Sequence, residues 1–285
     1  MEIKDYRNSV FVLDENREVL NVKLSKWGGG EYKLENMENV KGSVIIFIPY
    51  LTLKTLEKAY VIKRFLIKNK VDVQHCIIGY CSYSRQERET ENEPELLKRF
   101  LNSVKIMLGR CYVIDGHNVD SFIRNGFLIT SSYRELLKSI KEDYVIVAPD
   151  KGARLKNRIL DIKTDICMKK TRKDGQVITQ FDKDYSTCDG RKTTFVILDD
   201  ICDGGRTFAN TCKILKEAYP KCNVILAVAH AILPYGIDLL KESGIDKIIT
   251  TNTCFPTGEH YDGFVDSINI IKILPWCFEG EKAIC

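Results

Sequence analysis

The stretch that decides the fold covers residues 195–207 and reads FVILDDICDGGRT. An apolar run typical of a strand leads into two adjacent acids, and a third acid precedes two glycines, an arginine and a threonine. Glycines let backbone N–H groups curl around an anion, and the positive end of a following helix adds to that attraction. The paired carboxylates can accept hydrogen bonds from vicinal sugar hydroxyls. The stretch therefore predicts a phosphoribose site; the alternative is an ordinary strand–turn–helix in which Asp caps the helix.

Apolar, β-branched runs alternate with amphipathic stretches on both sides of this segment. Several runs are continuously apolar, which is typical of strands buried on both faces of a parallel sheet. The alternation predicts an α/β architecture with crossover connections that divides near residues 121–132. The predicted strands cover residues 10–13, 44–48, 73–78, 111–114, 144–148, 194–198, 224–229, 247–251 and 268–273. The predicted helices cover residues 51–68, 94–108, 134–141, 207–219 and 236–243.

The composition excludes several classes of protein. The 285 residues are 44% hydrophobic and 29% charged, which excludes a disordered, collagenous or coiled-coil chain. The longest nearly apolar stretches hold about ten residues, and a membrane span needs roughly twenty, so no membrane span is expected. Residues 1–5 have no apolar core and are not Arg-rich, so no targeting peptide is expected. Those expectations favour the cytoplasm. The net charge of +4 is too mild to indicate nucleic acid.

Eleven cysteines are scattered between Cys76 and Cys285, and no two have C-x-x-C spacing. Disulfide frameworks and zinc sites need close, paired spacing. We therefore expect reduced, mostly buried thiols. Cys202 and His230 are interpreted as structural residues.

One segment interrupts the alternation, because residues 169–189 are polar and highly charged: KKTRKDGQVITQFDKDYSTCD. One interpretation is a solvated surface hairpin. The other is a mobile lid whose cations close over phosphates.

With six other segments, residues 195–207 resemble the ribose-phosphate pyrophosphokinases, the enzymes that make phosphoribosyl pyrophosphate. The glycine loop alone also resembles that of phosphoribosyltransferases. The six segments occur in family order, and each resembles a short motif of the pyrophosphokinases. They are residues 27–31 (WGGGE), 83–88 (YSRQER), 115–117 (DGH), 148–152 (APDKG), 170–172 (KTR) and 251–253 (TNT).

The resemblance implies two similar phosphoribosyltransferase-type domains with mainly parallel sheets and an active site at their interface. Residues 1–130 would form an N-terminal domain with the ATP-binding loops. Residues 131–285 would carry the ribose-phosphate loop and a catalytic flexible loop at about 169–190. The family transfers the β,γ-diphosphate of Mg-ATP to the anomeric hydroxyl of ribose 5-phosphate and is usually homo-oligomeric, so at least a dimer is expected. No nucleic-acid or membrane partner is expected.

The resemblance also assigns roles to residues of this chain. The catalytic residues would be Lys170, Arg172 and His117, although a lone histidine is often structural. The ATP contacts would be Trp27, Glu31, Arg85, Gln86, Arg88 and His117. The sugar and its phosphate would be held by Asp199, Asp200, Asp203, Gly204, Gly205, Arg206 and Thr207. The metal ligands for Mg²⁺ would be His117 and Asp150.

Two departures from the family pattern bear on the substrates. The loop Asp203-Gly204-Gly205-Arg206-Thr207 stands where the family has Asp-Thr-x-Gly-Thr. An acceptor whose 5-phosphate is esterified, as in ADP-ribose, would suit the altered loop, because Arg206 could meet the second phosphate. Gly29 replaces the acid or amide that usually contacts adenine, so backbone groups or stacking on Trp27 would have to contribute.

These departures favour a divergent member that resembles the phage ADP-ribose pyrophosphate synthetases, which serve NAD⁺ resynthesis against host defences. Its location would be a bacterial or phage-infected cytosol. An ordinary ribose-5-phosphate pyrophosphokinase is the alternative. A phosphoribosyltransferase, or a non-catalytic regulatory homologue, is less favoured because the ATP-type motifs and Lys170, Arg172, His117 and Asp150 are all present.

Overall fold

The computed structural model describes residues 2–36, 40–91, 93–173, 176–182, 193–233 and 236–273. The chain divides into two units. Unit 1 comprises Met1–Thr130, Asn252–Pro256 and Ile271–Cys285, and unit 2 comprises Ser131–Thr251 and Thr257–Ile270. No helix within these described ranges is long and apolar enough to cross a membrane.

Unit 1 is built around a five-stranded sheet in the order β1-β4-β5-β6-β7, with a separate β2–β3 hairpin. Only β1 runs antiparallel within the described sheet. Its strands are β1 (Phe11–Leu13), β2 (Lys23–Lys26), β3 (Tyr32–Glu35), β4 (Ser43–Leu51), β5 (Asp72–Cys81), β6 (Cys111–Ile114) and β7 (Leu128–Thr130). Its helices are α1 (Ile3–Arg7), α2 (Leu53–Lys68), α3 (Leu97–Leu108) and α4 (Val119–Arg124).

The apolar pattern of the sequence explains this sheet. Residues 44–48 of β4 are buried without interruption, as expected for a strand covered on both faces. The helix α2 begins at a capping box in which Thr52 accepts a hydrogen bond from the N–H of Thr55, and Thr55 accepts one from the N–H of Thr52. Capping satisfies amides that the first helical turn leaves without partners, so the chain turns sharply from β4 into α2.

The segment Asn252–Pro256 is anchored within unit 1 by α1. The hydroxyl of Tyr6 donates to the carbonyl of Asn252, and Nε of Arg7 donates to the carbonyl of Cys254 at 2.8 Å. Thr253 packs against Gly79, where an added Cβ would lie 2.8 Å from the Thr253 methyl and 2.3 Å from the carbonyl of Pro49. This close approach requires glycine at position 79.

Unit 2 contains an eight-stranded sheet in the order β10-β9-β8-β11-β12-β13-β15-β14. Its described pairs are parallel except at the two edges, β9–β10 and β14–β15. The strands are β8 (Tyr144–Ala148), β9 (Ile166–Lys173), β10 (Gln176–Phe181), β11 (Thr194–Cys202), β12 (Asn223–Ala231), β13 (Lys247–Thr251), β14 (Gly258–His260) and β15 (Val265–Ile268). The helices are α5 (Tyr133–Lys138), α6 (Lys151–Ile159), α7 (Arg206–Ala218) and α8 (Ile237–Glu242), and α9 (Ile270–Ile273) follows at the junction with unit 1.

The predicted α/β class with mainly parallel sheets is confirmed. The predicted strand at 268–273 is wrong, because the strand is Val265–Ile268 and a short helix, Ile270–Ile273, follows it. A short apolar run fits a buried strand and a buried helix equally well, so its periodicity cannot separate them. The sequence also gave no signal for the edge strands β2, β3 and β14, whose side chains are largely exposed or half-buried.

All eight cysteines in the described ranges are buried free thiols. Cys76 on β5 lies opposite Cys111 on β6. Burial raises the pKa of the Cys254 thiol to about 12, so that thiol stays protonated at neutral pH. These side chains therefore serve as small apolar packing groups.

Candidate functional site

The acidic pair of unit 2 lies within strand β11 rather than after it. Both Asp199 and Asp200 belong to Thr194–Cys202. The pairing of β11 with β8 ends at Ile197, whereas its pairing with β12 continues to Cys202. The two acids therefore lie at the carboxyl end of the sheet, where one neighbouring strand has already stopped. Ligands of open α/β sheets bind at this edge.

Asp200 is a buried carboxylate with a partner for each oxygen. Its Oδ2 lies 2.5 Å from Nζ of Lys156 on α6, and its Oδ1 accepts a hydrogen bond of 2.8 Å from the N–H of Ile201. A buried charge is costly unless it is paired and hydrogen-bonded. These contacts fix both the charge and the orientation of Asp200.

Asp199 has a different electrostatic environment. Its Oδ1 accepts a hydrogen bond of 2.9 Å from the N–H of Asp200. Burial raises the pKa of Asp199 well above its usual range, and the charges of Asp200 and Asp150 raise it further. Three acids thus interact at this edge of unit 2. A cation or a set of hydroxyl donors placed there would relieve their repulsion.

The glycine loop after β11 forms the entry to helix α7. Gly205 has a φ of +76°, a left-handed conformation that favours glycine, and a Cβ at this position would lie 3.1 Å from Leu240. By contrast, nothing lies within 4 Å of a Cβ built on Gly204. Helix α7 begins at Arg206, so the N–H groups of Arg206 and Thr207 have no partner within the helix.

Such an exposed first turn attracts anions. The loop is closed from behind by Gly236, where a Cβ would approach the carbonyl of Asp203 to 3.1 Å. Arg206 is exposed and Thr207 is half-buried. The arrangement can bind a phosphate with backbone N–H groups, a hydroxyl and a guanidinium.

Helix α6 connects two of the charged groups. Asp150 caps the helix by accepting a hydrogen bond of 2.9 Å from the N–H of Ala153. Lys156 lies almost two turns further along the same helix, with only 15% of its side chain exposed. The sequence prediction included Asp150 but missed Lys156. The available signal was its position one turn after Ala153 and beside Asn157, both of which are buried.

The predicted catalytic cations lie on the β9–β10 hairpin. Lys170 is paired with Thr179, and Arg172 with Val177. The expected flexible loop at 169–190 is described only at 169–173 and 176–182, and the remainder lies outside the described residues. The solvated hairpin and the mobile lid therefore both stay predictions.

In unit 1, the WGGGE segment is the turn between β2 and β3. The N–H of Trp27 donates to the carbonyl of Glu31, and the N–H of Gly30 donates to the carbonyl of Trp27, both at 2.9 Å. The Trp27 side chain is 61% exposed, and Nζ of Lys33 lies 4.7 Å from its ring centroid. The Glu31 carboxylate lies against Gly29. An exposed indole can stack a nucleobase, and a carboxylate in the same turn can accept hydrogen bonds from its amino group.

The YSRQER segment connects β5 with α3. The N–H of Gln86 donates to the carbonyl of Tyr83 at 2.8 Å, and the carbonyl of Gln86 accepts from the N–H groups of residues 96 and 97 at 3.2 Å. Arg85 is exposed, and its charge opposes the burial that raises the pKa of Tyr80 to about 12. Arg88 is 82% exposed. The segment thus presents two guanidiniums to solvent from a backbone that is held at Gln86.

The DGH segment follows β6. Asp115 is buried and has a φ of +44°, and its N–H donates to the carbonyl of Thr130 at 2.8 Å. A Cβ at Gly116 would lie 2.7 Å from the Phe122 ring, so a larger residue cannot replace this glycine without a shift. His117 is exposed at the end of this tight turn, where an incoming ligand can reach its imidazole.

The predicted metal ligands lie in different units, His117 in unit 1 and Asp150 in unit 2. Within the described ranges, no group of three or more His, Cys, Asp or Glu side chains could hold a metal ion. Magnesium needs no such group, because it is commonly bound by one or two carboxylates together with substrate phosphates. Asp150 offers that kind of oxygen, and its charge already adds to the repulsion felt by Asp199. These residues of unit 2 fit a magnesium ion that arrives with a phosphate ligand.

Comparisons with known proteins identify a family for this chain. The model of the phosphoribosyl transferase domain family matches residues 120–262. A ribose-phosphate pyrophosphokinase of Thermosipho africanus is 24% identical over 96% of this chain and 93% of its own length. A second one, from Mycoplasmopsis pulmonis, is 27% identical over 62% of this chain and 58% of its own length.

The fold is also shared with a solved structure. The phosphoribosylpyrophosphate synthetase of Mycobacterium smegmatis superimposes with a TM-score of 0.67 at 21% identity, covering 94% of this chain and 91% of that one. At this identity the similarity shows the fold. The family match covers half of the chain and contains β11, the glycine loop and α7. The chain therefore belongs to the phosphoribosyl transferase domain family.

Proposed function

We propose that this protein transfers the β,γ-diphosphate of Mg-ATP to the anomeric 1-hydroxyl of a ribose 5-phosphate moiety and releases AMP. The observation that carries the proposal is the acidic pair Asp199–Asp200, followed after three residues by the glycine entry to α7, which is open at Gly204. The acids can accept hydrogen bonds from sugar hydroxyls, and the amides near them can bind a phosphate. Together they suit a phosphoribose better than a sugar or a phosphate alone.

The transfer follows from the chemistry of its groups. The 1-hydroxyl oxygen bonds to the β-phosphorus of ATP while the bond from that phosphorus to the α–β bridging oxygen breaks. AMP leaves with the bridging oxygen, and the hydroxyl proton is lost to water. Such reactions depend on positioning and charge neutralisation rather than on covalent catalysis. Magnesium bound to the ATP phosphates would supply part of that neutralisation.

The residues of the chain would divide the remaining tasks. Asp199 would accept hydrogen bonds from the sugar, and the amides at the start of α7 would hold its 5-phosphate. Lys170 and Arg172 would stabilise charge on the transferred diphosphate. Asp150 would contribute an oxygen to magnesium. The ATP contacts would be Trp27, Glu31, Arg85, Gln86, Arg88 and His117.

The acceptor has two candidates. The names of the relatives favour free ribose 5-phosphate. ADP-ribose is the second candidate, because the space around Gly204 is open and Arg206 is exposed beside it. An esterified phosphate needs an exit path, which an open loop provides, and Arg206 can pair with the second phosphate. We also expect the protein to act as a homo-oligomer.

The test is direct. The purified protein is incubated with Mg-ATP and either ribose 5-phosphate or ADP-ribose, AMP release is measured, and the product mass is determined. Release of AMP with a product heavier by one diphosphate supports the transfer, and the sugar that gives it identifies the acceptor. No AMP with either sugar would overturn the proposal. Diphosphate release from phosphoribosyl pyrophosphate and a base, without ATP, would instead indicate a phosphoribosyltransferase.

Arg206→Ala separates the two acceptors. If ADP-ribose is the acceptor, loss of the guanidinium should raise its KM by about tenfold or more, because a charge-assisted contact to the second phosphate is lost. Free ribose 5-phosphate has no second phosphate. An equal effect of Arg206→Ala on both sugars would therefore contradict the role assigned to this arginine.

A further inference from the structure

The ion pair between Lys156 and Asp200 is the strongest feature of unit 2 that the sequence motifs leave without a role. Lys156 Nζ lies 2.5 Å from Asp200 Oδ2, and the two side chains are 15% and 4% exposed. Solvent-exposed pairs contribute little and form easily, but a charged pair at this depth requires its partners to match closely. Lys156 therefore constrains Asp200 to one place.

The constraint extends from Asp200 to its neighbour. Oδ1 of Asp200 is taken by the N–H of Ile201 at 2.8 Å. With both oxygens held, the carboxylate of Asp200 cannot rotate without losing a bond. The N–H of Asp200 in turn donates to Oδ1 of Asp199 at 2.9 Å. A chain of contacts thus runs from Lys156 through Asp200 to the carboxylate of Asp199.

The two ends of this chain of contacts belong to different elements of unit 2. Lys156 belongs to α6, the helix that Asp150 caps at its first turn. Asp199 and Asp200 belong to β11. Helix α6 therefore carries both the positive charge of Lys156 and the negative charge of Asp150, which adds to the repulsion at Asp199. Without this ammonium group, the neighbouring carboxylates of Asp199 and Asp200 would repel each other with less compensation.

We propose that Lys156 is a positioning residue that fixes Asp200, and through the amide of Asp200 also Asp199, in the orientation that the sugar hydroxyls require. The proposal rests on the proposed function, because it concerns how the same site holds its sugar. In this role Lys156 acts on the sugar through Asp200 rather than by a contact of its own. Its loss should therefore weaken binding of the sugar and leave binding of ATP unchanged.

The experiment compares Lys156→Met with Lys156→Arg. Methionine keeps the length of the side chain and removes the charge, and arginine keeps the charge. We expect Lys156→Met to raise the KM for the acceptor sugar by about 10- to 100-fold, the range for losing a hydrogen bond to a charged group. The KM for ATP should change less than about twofold, and Lys156→Arg should recover most of the sugar affinity.

Arg158→Met is the matched control, because Arg158 is an exposed cation on the same helix. It should leave both KM values unchanged. A proportional rise in both KM values with Lys156→Met, or a loss that Lys156→Arg does not recover, would overturn the positioning role. If Lys156→Met does not fold, the double variant Lys156→Met, Asp200→Asn removes both charges and should fold. It should still bind the sugar weakly, and wild-type affinity in this variant would overturn the proposal.

Binding of the sugar to the wild-type protein and the variants is also measured by calorimetry without ATP. This measurement separates the two proposals. If the wild-type protein binds the sugar but releases no AMP, the proposed transfer is overturned. The sugar affinities of the Lys156 variants then still test whether Lys156 positions the two acids. A wild-type protein that binds neither sugar overturns both proposals.

Discussion

The carboxylate of Glu31 occupies the space that a side chain at position 29 would need. A Cβ built on Gly29 would lie 2.6 Å from Oε2 of Glu31, which is too close for any real contact. The residue that the family uses at position 29 carries an acid or an amide. In this chain a carboxylate is still present at that place in the turn, but it comes from two residues further on.

Gly29→Ala should weaken ATP binding. The added methyl group displaces the Glu31 carboxylate, and with it the group that accepts the amino protons of adenine. We expect the KM for ATP to rise by about tenfold, from the loss of one hydrogen bond to a charged group. Steady-state kinetics at saturating acceptor sugar measure the effect.

Gly28→Ala provides a control in the same turn. Nothing lies within 4 Å of a Cβ at Gly28, so this variant adds the same methyl group without displacing Glu31. It should keep the wild-type KM for ATP. Equal effects of the two substitutions would show that the turn tolerates no side chain and that Glu31 is not the cause.

Gly205→Ala should destabilise the protein. The left-handed conformation costs an L-residue about 1–2 kcal/mol, and a methyl group at Gly205 would also press against Leu240 at 3.1 Å. Gly204→Ala adds the same methyl group in open space and should change the free energy of unfolding by less. Guanidinium denaturation at equilibrium compares the two. A Gly204→Ala variant that is the less stable of the pair would contradict the assignment of strain to Gly205.

Asp199→Asn should alter how stability depends on pH. Because the pKa of Asp199 is raised in the folded protein, the folded state holds this proton at pH values where the unfolded chain has released it. The wild-type protein therefore loses stability as the pH rises from about 4, the ordinary pKa of aspartate, through the raised pKa of the folded state.

Asparagine carries no charge, so the variant avoids that loss. We expect Asp199→Asn to have a larger free energy of unfolding than the wild-type protein at about pH 8, and the difference to vanish near pH 3, where both forms are neutral. Denaturant titrations across this range measure the difference. A constant difference at every pH would mean that Asp199 is not the titrating group.

Lys170→Ala should abolish AMP formation while leaving the fold intact. A fixed cation that stabilises transition-state charge contributes on the order of 10²- to 10³-fold to the rate. AMP release measures activity, and circular dichroism measures folding. Lys163→Ala is the control, because Lys163 is an exposed lysine that pairs with Asp165 at 3.1 Å. Unchanged turnover in Lys170→Ala would exclude the β9–β10 hairpin from catalysis.

The sequence could predict the central strands because their burial leaves a mark on composition. β11 and β12 are enclosed on both faces, so residues 195–198 and 224–229 within them form unbroken apolar runs. The hairpin strands β2 and β3 have no such enclosure. Their pairing depends on the turn at residues 27–31. The glycines of this turn are visible in the sequence, but they do not predict a strand on either side.

The site was predictable where its residues are close in sequence. Residues 199–207 form one continuous stretch, so their order alone indicates acids followed by a phosphate-binding turn. The partner of Asp200 is Lys156, which lies 44 residues earlier in the chain. Only the parallel pairing of β8 with β11 brings helix α6 to these acids. A contact that depends on strand order leaves no local pattern in the sequence.

Unit 1 draws on three separate stretches of the chain, and this interleaving limits how the protein can be divided. A fragment that stops at residue 130 lacks the carbonyl of Cys254 that Arg7 binds and the methyl group of Thr253 that covers Gly79. Recombination or truncation at that boundary would separate a sheet from part of its own packing. We expect nearly the whole chain to be needed for independent folding. Two halves split at residue 130 should regain structure only when they are expressed together.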